Sequence, residues 1–324
     1  YTLPALGIPL LIIVGAIIFS INTSTPLRDN PREHLPERKP HVNHASLIKG
    51  TFKDGPSVTK ECLRCHEDAA KEHMKTTHWK WSTDSLTVPW HKEKIVVGKK
   101  FSFNNFCIGI DGGNETMCTK CHTGYGWKDK SFDFSNETNV DCLVCHDGSG
   151  LYAKAGSGLP HPSVNLAEVA KSVGFASRKN CGTCHFSGGG GNAVKHGDLD
   201  ESMYYPSKRI DVHMGKFDFQ CTDCHQTEGH NITGRSMSVS VTKENRIECS
   251  QCHNEKPHTD TRLNLHTDRV ACHTCHIPEV AKKTATKTDW DWSKAGQDRP
   301  EDPHHYLKMK GEFTYKKKLK PEYY

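Results

Sequence analysis

The feature that most constrains this chain is a five-residue pattern, C-x-x-C-H, which occurs seven times in 324 residues. The residues concerned are Cys62, Cys65 and His66; Cys118, Cys121 and His122; Cys142, Cys145 and His146; Cys181, Cys184 and His185; Cys221, Cys224 and His225; Cys249, Cys252 and His253; and Cys272, Cys275 and His276. In this pattern the two thiols add to the vinyl groups of a haem, and the adjacent histidine is held beneath the iron as its proximal ligand.

Two simpler interpretations of the cysteines fail on the same detail. A disulfide framework has no use for a histidine directly after every second cysteine. Zinc ribbons need paired C-x-x-C units at a closer and more regular separation than the copies show here. Seven copies exceed coincidence, so the sequence predicts seven covalently attached c-type haems. The fifteenth cysteine, Cys107, belongs to no copy.

The composition is that of a chain organised around cofactors. Only 35% of the residues are hydrophobic and the mean hydropathy is −0.68, which is poor for burying a large side-chain core. Successive motifs start 56, 24, 39, 40, 28 and 23 residues apart, which leaves little room for sheet. The predicted fold is mainly α with extensive irregular loops, a multihaem cytochrome c wrapped around its haem array.

The N-terminal segment predicts the compartment. Residues 3–21 carry no charge and are long enough to cross a bilayer, which takes about 20 helical residues. Such a segment is either a transmembrane anchor or an export signal, and its length favours the anchor, because a signal core usually runs about 7–15 residues. We therefore expect residues 1–21 to be the anchor or signal, with the haem-bearing part on the periplasmic side of the membrane or exported to the cell exterior.

The remainder is predicted to have two parts. Residues 22–60 carry five prolines among polar neighbours, typical of an extended arm, and residues 61–324 form the multihaem domain. Within that domain, "EDAAKEHMK" after the first motif and "NLAEVAKSVGF" before the fourth predict short helices, the second with Leu166, Val169, Ala170 and Val173 on one side. The net charge of +5 and the lysine-rich end are consistent with a solvated tail, and no nucleic-acid partner is expected.

The second axial ligand of each iron separates electron carriers from enzymes, because imidazole on both faces closes the iron to substrates. Fifteen histidines remain besides the seven proximal ones. Six are predicted as distal ligands: His78, His196, His213, His230, His258 and His266. His73 and His273 could displace any of these six. Five others are predicted to be surface residues: His34, His41, His44, His304 and His305.

Several long stretches beside the motifs carry a resemblance to a known family. The runs "CHTGYGWKDKSFDFSNETNVDCLVCHDGSG", "NCGTCHFSGGGGNAVKHGDLD", "DVHMGKFDFQC" and "ACHTCHIPEVAKKTATKTDWDWSKAG" resemble the octahaem tetrathionate reductases, over roughly Cys62 to Tyr324. That family has eight haems where this sequence shows seven motifs, and its last motif lies beyond the region similar to "KPEYY". Either the sequence is a shortened form, with an eighth haem in the complete protein, or it is a natural seven-haem relative.

The resemblance implies one catalytic haem with a lysine amine as axial ligand and a free cysteine near its open face. By position, the haem is the one on Cys118 and Cys121, the lysine is Lys195 and the cysteine is Cys107. Asn192 stands where an acidic residue is common in the family, at a position connected with proton delivery. From the sequence alone, Lys195 is equally well a surface lysine on a flexible loop, and Cys107 a buried structural thiol or half of an intermolecular bridge.

Three functions remain open. The chain is a respiratory reductase acting on a small oxidised sulfur or nitrogen compound such as tetrathionate, nitrite or hydroxylamine; a non-catalytic electron conduit; or a quinol dehydrogenase that takes electrons from the membrane quinone pool and feeds a partner cytochrome. Whether it is an enzyme is therefore undecided. Redox partner proteins are expected, and homo-oligomers and hetero-oligomers both stay open. The direction of electron flow does not follow from sequence, because axial ligands alone set haem potentials over about 0.8 V.

Overall fold

The structure is a computed structural model that describes residues 31–101, 115–188, 191–194, 196–234, 246–298 and 311–322. The chain divides into two compact units, Tyr1–Arg38 and Lys39–Tyr324. The predicted membrane segment, residues 3–21, lies outside the described ranges. Within those ranges, no helix is both long and apolar enough to span a bilayer.

Short helices separated by irregular loops dominate the described structure. We number the α-helices in chain order: α1 Gly55–Cys62, α2 Ala69–His73, α3 Thr77–Lys80, α4 Glu115–Cys118, α5 Leu143–His146, α6 Leu166–Lys171, α7 Arg178–His185, α8 Val212–Phe217, α9 Cys221–Cys224, α10 Thr261–Thr267 and α11 Cys272–His276. The 3-10 helices are Pro31–His34, His44–Ser46, Lys99–Phe101, Thr119–Cys121, Glu137–Asn139, Gly156–Gly158, Glu201–Tyr204, Cys249–Gln251 and Trp292–Lys294. This confirms the prediction of a mainly helical, loop-rich fold.

The described sheet is limited to two antiparallel pairs. Strands β1 Thr227–Glu228 and β2 Asn231–Ile232 form a tight hairpin, and β3 Thr286–Asp291 pairs with β4 Glu312–Lys316. A register shift interrupts the second pair between Lys287 and Asp289.

Local capping explains where the helices that carry attachment cysteines begin. Asp54 accepts a hydrogen bond from the Ser57 amide at 2.9 Å, so α1 starts there and reaches the first attachment cysteine, Cys62, at its end. Ser177 begins α7 with a capping box that includes Asn180, and the fourth motif lies within this helix. The caps therefore fix the positions of two attachment sites.

The side-chain core consists of two small clusters. The first comprises Ile48, Val58, Leu143, Val144, Tyr152, Val169 and Ala170. The second comprises Ala70, Trp79 and Val140. The predicted apolar side of the second short helix is confirmed: Val169 and Ala170 are buried, and Leu166 and Val173 pack against the first cluster.

The structure divides the chain after Arg38, where the sequence suggested a boundary at residue 60. Ile48 and Val58 belong to the first core cluster, and α1 occupies most of the last ten residues of the predicted arm. Prolines dominate the composition of 22–60, but the apolar residues after position 47 are enough to anchor its second half to the larger unit.

Candidate functional site

The C-x-x-C-H segments occupy helical turns or helix ends throughout the described chain. Helices α5, α7, α9 and α11 contain part or all of the third, fourth, fifth and seventh motifs. Cys62 ends α1 and Cys118 ends α4. A helical turn brings the two thiols of a C-x-x-C segment to the same side, because residues three apart are neighbours on a helix.

Two motif histidines are oriented by hydrogen bonds from Nδ1, the ring nitrogen that an iron would not use. His146 donates from Nδ1 to the Gly174 carbonyl at 2.9 Å, and His225 does the same to Thr233 at 2.8 Å. Each bond fixes the ring and leaves Nε2 to a metal, which is how metal-binding histidines are held.

Four motif histidines lie opposite a second histidine. The ring-centroid separations are 6.1 Å for His66 and His44, 6.1 Å for His185 and His78, 6.1 Å for His253 and His213, and 5.9 Å for His276 and His258. Metal–imidazole bonds of about 2 Å on both sides, with each nitrogen about 1.2 Å from its ring centre, require about 6.3 Å. These pairs therefore fit one iron between two imidazoles.

His44 was predicted to be a surface residue, but the structure places it in this paired arrangement. Its Nδ1 donates to the Val42 carbonyl at 2.8 Å, and Asn43 caps the 3-10 helix His44–Ser46 by accepting from the Ala45 amide at 2.9 Å. A histidine in a proline-rich segment carries no local signal of this role. The pairing depends on the fold that brings the segment to His66.

His230 lies at the tip of the β1–β2 hairpin. Gly229 and His230 have φ of 49° and 62°, the left-handed backbone of a two-residue type I′ turn. The turn places His230 Nδ1 2.9 Å from Glu72 Oε2 and His230 among the electrostatic neighbours of His146. His230 is thus brought towards the third motif.

His73 lies in the same region but is tied elsewhere. Its ring centre is 6.2 Å from that of His230, and its Nε2 bonds to Thr123 Oγ1 at 2.7 Å. The Thr123 hydroxyl donates to the His78 carbonyl, so Nε2 of His73 is the donor. Burial lowers the pKa of His73 to about 3, and the ring is neutral.

The remaining two predicted distal ligands, His196 and His266, have exposed side chains. His196 is exposed, and its Nδ1 bonds to the Gly197 carbonyl at 2.8 Å. His266 lies in the last turn of α10 and is also exposed. Their assignment as ligands stays a prediction.

The second motif departs from the common pattern. His122 is fully buried, and its ring lies within 6.0 Å of the ring centres of Trp79, Trp81, Trp127, Phe132 and Phe134. Its Nε2 donates to the Trp79 carbonyl at 2.8 Å, while Nδ1 is buried without a hydrogen-bond partner. Burial lowers the pKa of His122 to about 3. At His146 and His225 the Nε2 atom is left to a metal, but at His122 the Nε2 atom is bonded to the backbone carbonyl of Trp79.

A buried lysine lies beside this histidine. Lys154 is 9% exposed, and its Nζ donates to the backbone carbonyl of His122. The same Nζ is 2.8 Å from Asp141 Oδ2. Sequence reasoning missed Lys154, because one lysine in a glycine-bearing loop has no pattern that separates it from a surface residue.

Of the residues predicted to be catalytic, Cys107 and Lys195 lie outside the described residues. Asn192 is half-buried and accepts a hydrogen bond from the Glu201 amide at 3.0 Å. The segment around it is held by Thr286, whose hydroxyl donates to the Ala193 carbonyl at 2.7 Å.

Thiols of different motifs lie near enough to influence each other's pKa. The pairs are Cys62 with Cys142, Cys121 with Cys184, Cys181 with Cys221, and Cys249 with Cys272. Asn180 of α7 also donates to the carbonyl of Asp147, next to the third motif, at 3.0 Å. Cofactors attached at neighbouring thiols have their attached edges close together.

Apolar side chains next to the motifs are exposed. Met117 is 53% exposed, Ile277 43% and Val270 39%, each within two residues of a motif. Large apolar faces beside paired thiols and oriented histidines are what a porphyrin would cover. The thiols and the paired histidines therefore fit covalently attached haem at the first, fourth, sixth and seventh motifs, whereas at the second motif the Nε2 atom of His122 is bonded to the Trp79 carbonyl.

Comparison with known proteins agrees with this geometry. The family described as "Cytochrome c bacterial" matches residues 287–324. The crystal structure of an octahaem cytochrome c from Shewanella oneidensis aligns with a TM-score of 0.76 and 48% identity, over 87% of this chain and 64% of that one. An uncharacterized Archaeoglobus fulgidus protein is 24% identical over 231 residues, which is 56% of this chain and 77% of that protein. This chain thus spans less than two thirds of the Shewanella protein.

Proposed function

We propose that this chain, which belongs to the multihaem c-type cytochromes, transfers electrons as an exported respiratory reductase. In this proposal six haems relay electrons to a seventh, on Cys118 and Cys121, where a small oxidised sulfur or nitrogen compound is reduced. Tetrathionate, nitrite and hydroxylamine are the candidate substrates. Haem iron supplies one-electron transfer and, where one axial position is exchangeable, a binding position for a small ligand.

The relay haems are assigned from the histidine pairs. His44 with His66, His78 with His185, His213 with His253, and His258 with His276 are the proposed axial ligands at the first, fourth, sixth and seventh motifs. His230 is the proposed partner of His146 at the third motif, supported by its place on the hairpin beside Glu72. Two imidazoles close an iron to substrates, so these haems serve electron transfer.

The observation that carries the catalytic assignment is that the second motif has a different hydrogen-bond arrangement from the third and fifth motifs. His122 has its Nε2 bonded to Trp79, whereas the Lys154 amine reaches the backbone of this same motif. An amine binds iron only when deprotonated, and a neutral amine is a simpler ligand to displace than a second imidazole fixed by its own hydrogen bond. The amine that we propose as the ligand of this haem is Lys195, as the family resemblance implies, and Lys154 is the competing candidate.

Lys154 competes with Lys195 because its amine is bonded to the backbone of the second motif. The same amine is 2.8 Å from Asp141 Oδ2, and an amine must lose its proton before it can bind a metal. Cys107 is retained as the proposed thiol beside the substrate.

The proximity of thiols from different motifs supports an order of electron transfer between the haems. The thiol pairs join the first motif to the third and the fourth to the fifth, with Asn180 linking the third to the fourth. The proximity of Cys121 to Cys184 joins the second motif to the fourth. In the proposed route, electrons reach the catalytic haem through the haem of the fourth motif.

The proposed location is the periplasmic side of the membrane, with residues 3–21 as the anchor. High-salt washing should then leave the full chain with membranes, and a shortened chain starting near His44 should be soluble and still carry its haems. Recovery of a soluble chain that begins after Ser20 would indicate a cleaved signal. It would also remove the quinol dehydrogenase, which needs contact with the membrane.

The experiment that tests the catalytic assignment compares Lys154→Gln with Lys195→Gln. In the oxidised wild type, electron paramagnetic resonance and near-infrared spectra should contain one haem with an amine ligand. Lys195→Gln should abolish that signal and lower the reduction of nitrite, hydroxylamine or tetrathionate by about 10–100-fold, the usual effect of disturbing a metal site. Lys154→Gln should change neither.

Other outcomes decide between the alternatives. If Lys154→Gln removes the signal and Lys195→Gln keeps it, Lys154 is the ligand and the assignment to Lys195 is wrong. If the wild type has no amine-ligated haem and reduces none of the three compounds, the non-catalytic conduit is the better function, as the paired histidines already favour for the other haems.

A further inference from the structure

A buried arginine, Arg178, joins the fourth and fifth attachment sites. It begins α7, the helix that carries the fourth motif, and only 8% of the residue is exposed. Its backbone amide donates to Gln220 Oε1 at 3.1 Å, and its guanidinium donates to the Phe219 carbonyl at 2.7 Å and to Asp218 Oδ1 at 2.6 Å. These acceptors are consecutive residues that end directly before Cys221, so Arg178 ties the start of α7 to the start of the fifth motif.

The positive charge of Arg178 is only partly compensated. The side chain of Asp218 is 73% exposed, so water screens its negative charge, whereas the side chain of Arg178 is 10% exposed. The Nε atom of Arg178 is also buried, and it has no hydrogen-bond partner among the described residues. A buried cation whose anionic partner faces water leaves a positive electrostatic potential inside the protein.

This charge lies beside the thiols of two attachment sites. The neighbouring Cys181 thiol and the positive charge of Arg178 both lower the pKa of the Cys221 thiol, so the guanidinium is near enough to act on the fifth attachment site. The buried carboxylate of Asp223 raises the pKa of the same thiol, but it acts less strongly than Arg178. Cys181, of the fourth motif, lies three residues after Arg178 on α7, where side chains are neighbours. Both attachment sites therefore lie in the field of one buried cation.

Ferric haem accepts one electron to become ferrous haem and loses one unit of positive charge, so a nearby buried cation favours the reduced form. We infer that Arg178 raises the reduction potential of the haems on the fourth and fifth motifs and so stabilises an electron at this junction of the relay. The inference goes beyond the proposed function and does not depend on it, because a non-catalytic conduit would carry the same two haems.

The test is a spectroelectrochemical titration of the haem-loaded protein with Arg178→Gln, and with Arg64→Gln as the matched control. Glutamine keeps an amide that can donate to the Phe219 carbonyl, but it carries no charge. Arg64 lies within the first motif, and its side chain is 71% exposed and 2.7 Å from Glu61, so water screens its charge. Arg178→Gln should shift about two sevenths of the haem absorbance to lower potential, and Arg64→Gln should titrate like the wild type.

Two further variants separate the charge of Arg178 from its packing. Arg178→Lys keeps the positive charge but loses the planar fork that reaches two acceptors, so its potentials should stay close to those of the wild type. Asp218→Asn removes the partial compensation and should shift the same haems to higher potential. Asparagine suits this position, because Asp218 has a φ of 54°, in the left-handed region that asparagine also adopts readily.

The outcomes are decisive in either direction. An unchanged titration of Arg178→Gln overturns the inference. The inference also fails if the potentials of Arg178→Lys fall as far as those of Arg178→Gln, because packing and not charge would then set them. Should Arg178→Gln yield no haem-loaded protein, Asp218→Asn decides, since equal or lower potentials there contradict the inference. None of these measurements depends on which compound the protein reduces.

Discussion

Replacing His44 with methionine tests the histidine that the fold, and not the sequence, brings to the first haem. The ring centres of His44 and His66 are 6.1 Å apart, and the bond from His44 Nδ1 to the Val42 carbonyl leaves Nε2 as the nitrogen available to an iron. Methionine is a weaker donor that raises haem potentials when it replaces histidine, and it is long enough to keep the iron six-coordinate.

The size of the effect follows from the number of attachment motifs. One haem among seven should change, so about one seventh of the haem absorbance should titrate at a higher potential while the remainder is unaltered. A haem with one histidine and one methionine also has a weak absorption band near the red end of the visible spectrum, which paired histidines lack. That band should appear in the oxidised variant with the intensity of one haem.

The assay is a spectroelectrochemical titration of the purified protein beside a matched control, His41→Met. His41 is exposed, with its ring centre 5.1 Å from that of His44, and it makes an edge contact with Phe175. The control should titrate like the wild type. If His41→Met gives the new band and His44→Met does not, the ligand is His41 and the argument from ring separation is refuted.

Three further predictions concern other parts of the array. Gly55→Ala should lower the urea midpoint, because overpacking against Tyr125 costs about 1–3 kcal/mol, more than the gain of up to about 1 kcal/mol from helix propensity. Gly174→Ala is the control and should leave the midpoint unchanged, because no atom lies within 4 Å of the added Cβ. Equal midpoints for the two variants would contradict the packing argument. Glu72→Gln should raise the potential of one haem by weakening the hydrogen bond that increases the basicity of His230, and unchanged potentials throughout would exclude His230 as a ligand. Intact mass should give one haem for each of the seven motifs, and an eighth haem in the native protein would show that the motifs in this sequence are incomplete.

The attachment chemistry follows from the sequence because it is local. Two cysteines and a histidine within five residues bind one cofactor wherever the chain runs, so seven motifs suffice to predict a multihaem cytochrome. The short helix over residues 166–171 is equally local, since Asn165 caps it and its apolar residues follow a helical period.

The second axial ligands cannot be predicted from local sequence, because they lie far from their motifs along the chain. His78 and His185 are separated by more than one hundred residues, and the fold alone brings them together. Lys154 gave no signal because its significance comes from Asp141 and His122, which lie elsewhere in the chain and are buried with it. The second motif reads like the other six in sequence, and only the bond of His122 to Trp79 distinguishes it.

The proximity of thiols from different motifs has a consequence for how the protein is made. The thiols of Cys62 and Cys142 lie near each other, as do those of Cys181 and Cys221, so a chain that folded before receiving its cofactors would hold free thiols of different motifs close together. In an oxidising compartment such thiols form disulfides, which would block the addition of haem. Haem attachment and disulfide formation therefore compete for the same sulfur atoms during biogenesis. Each haem must be attached while its segment is still extended.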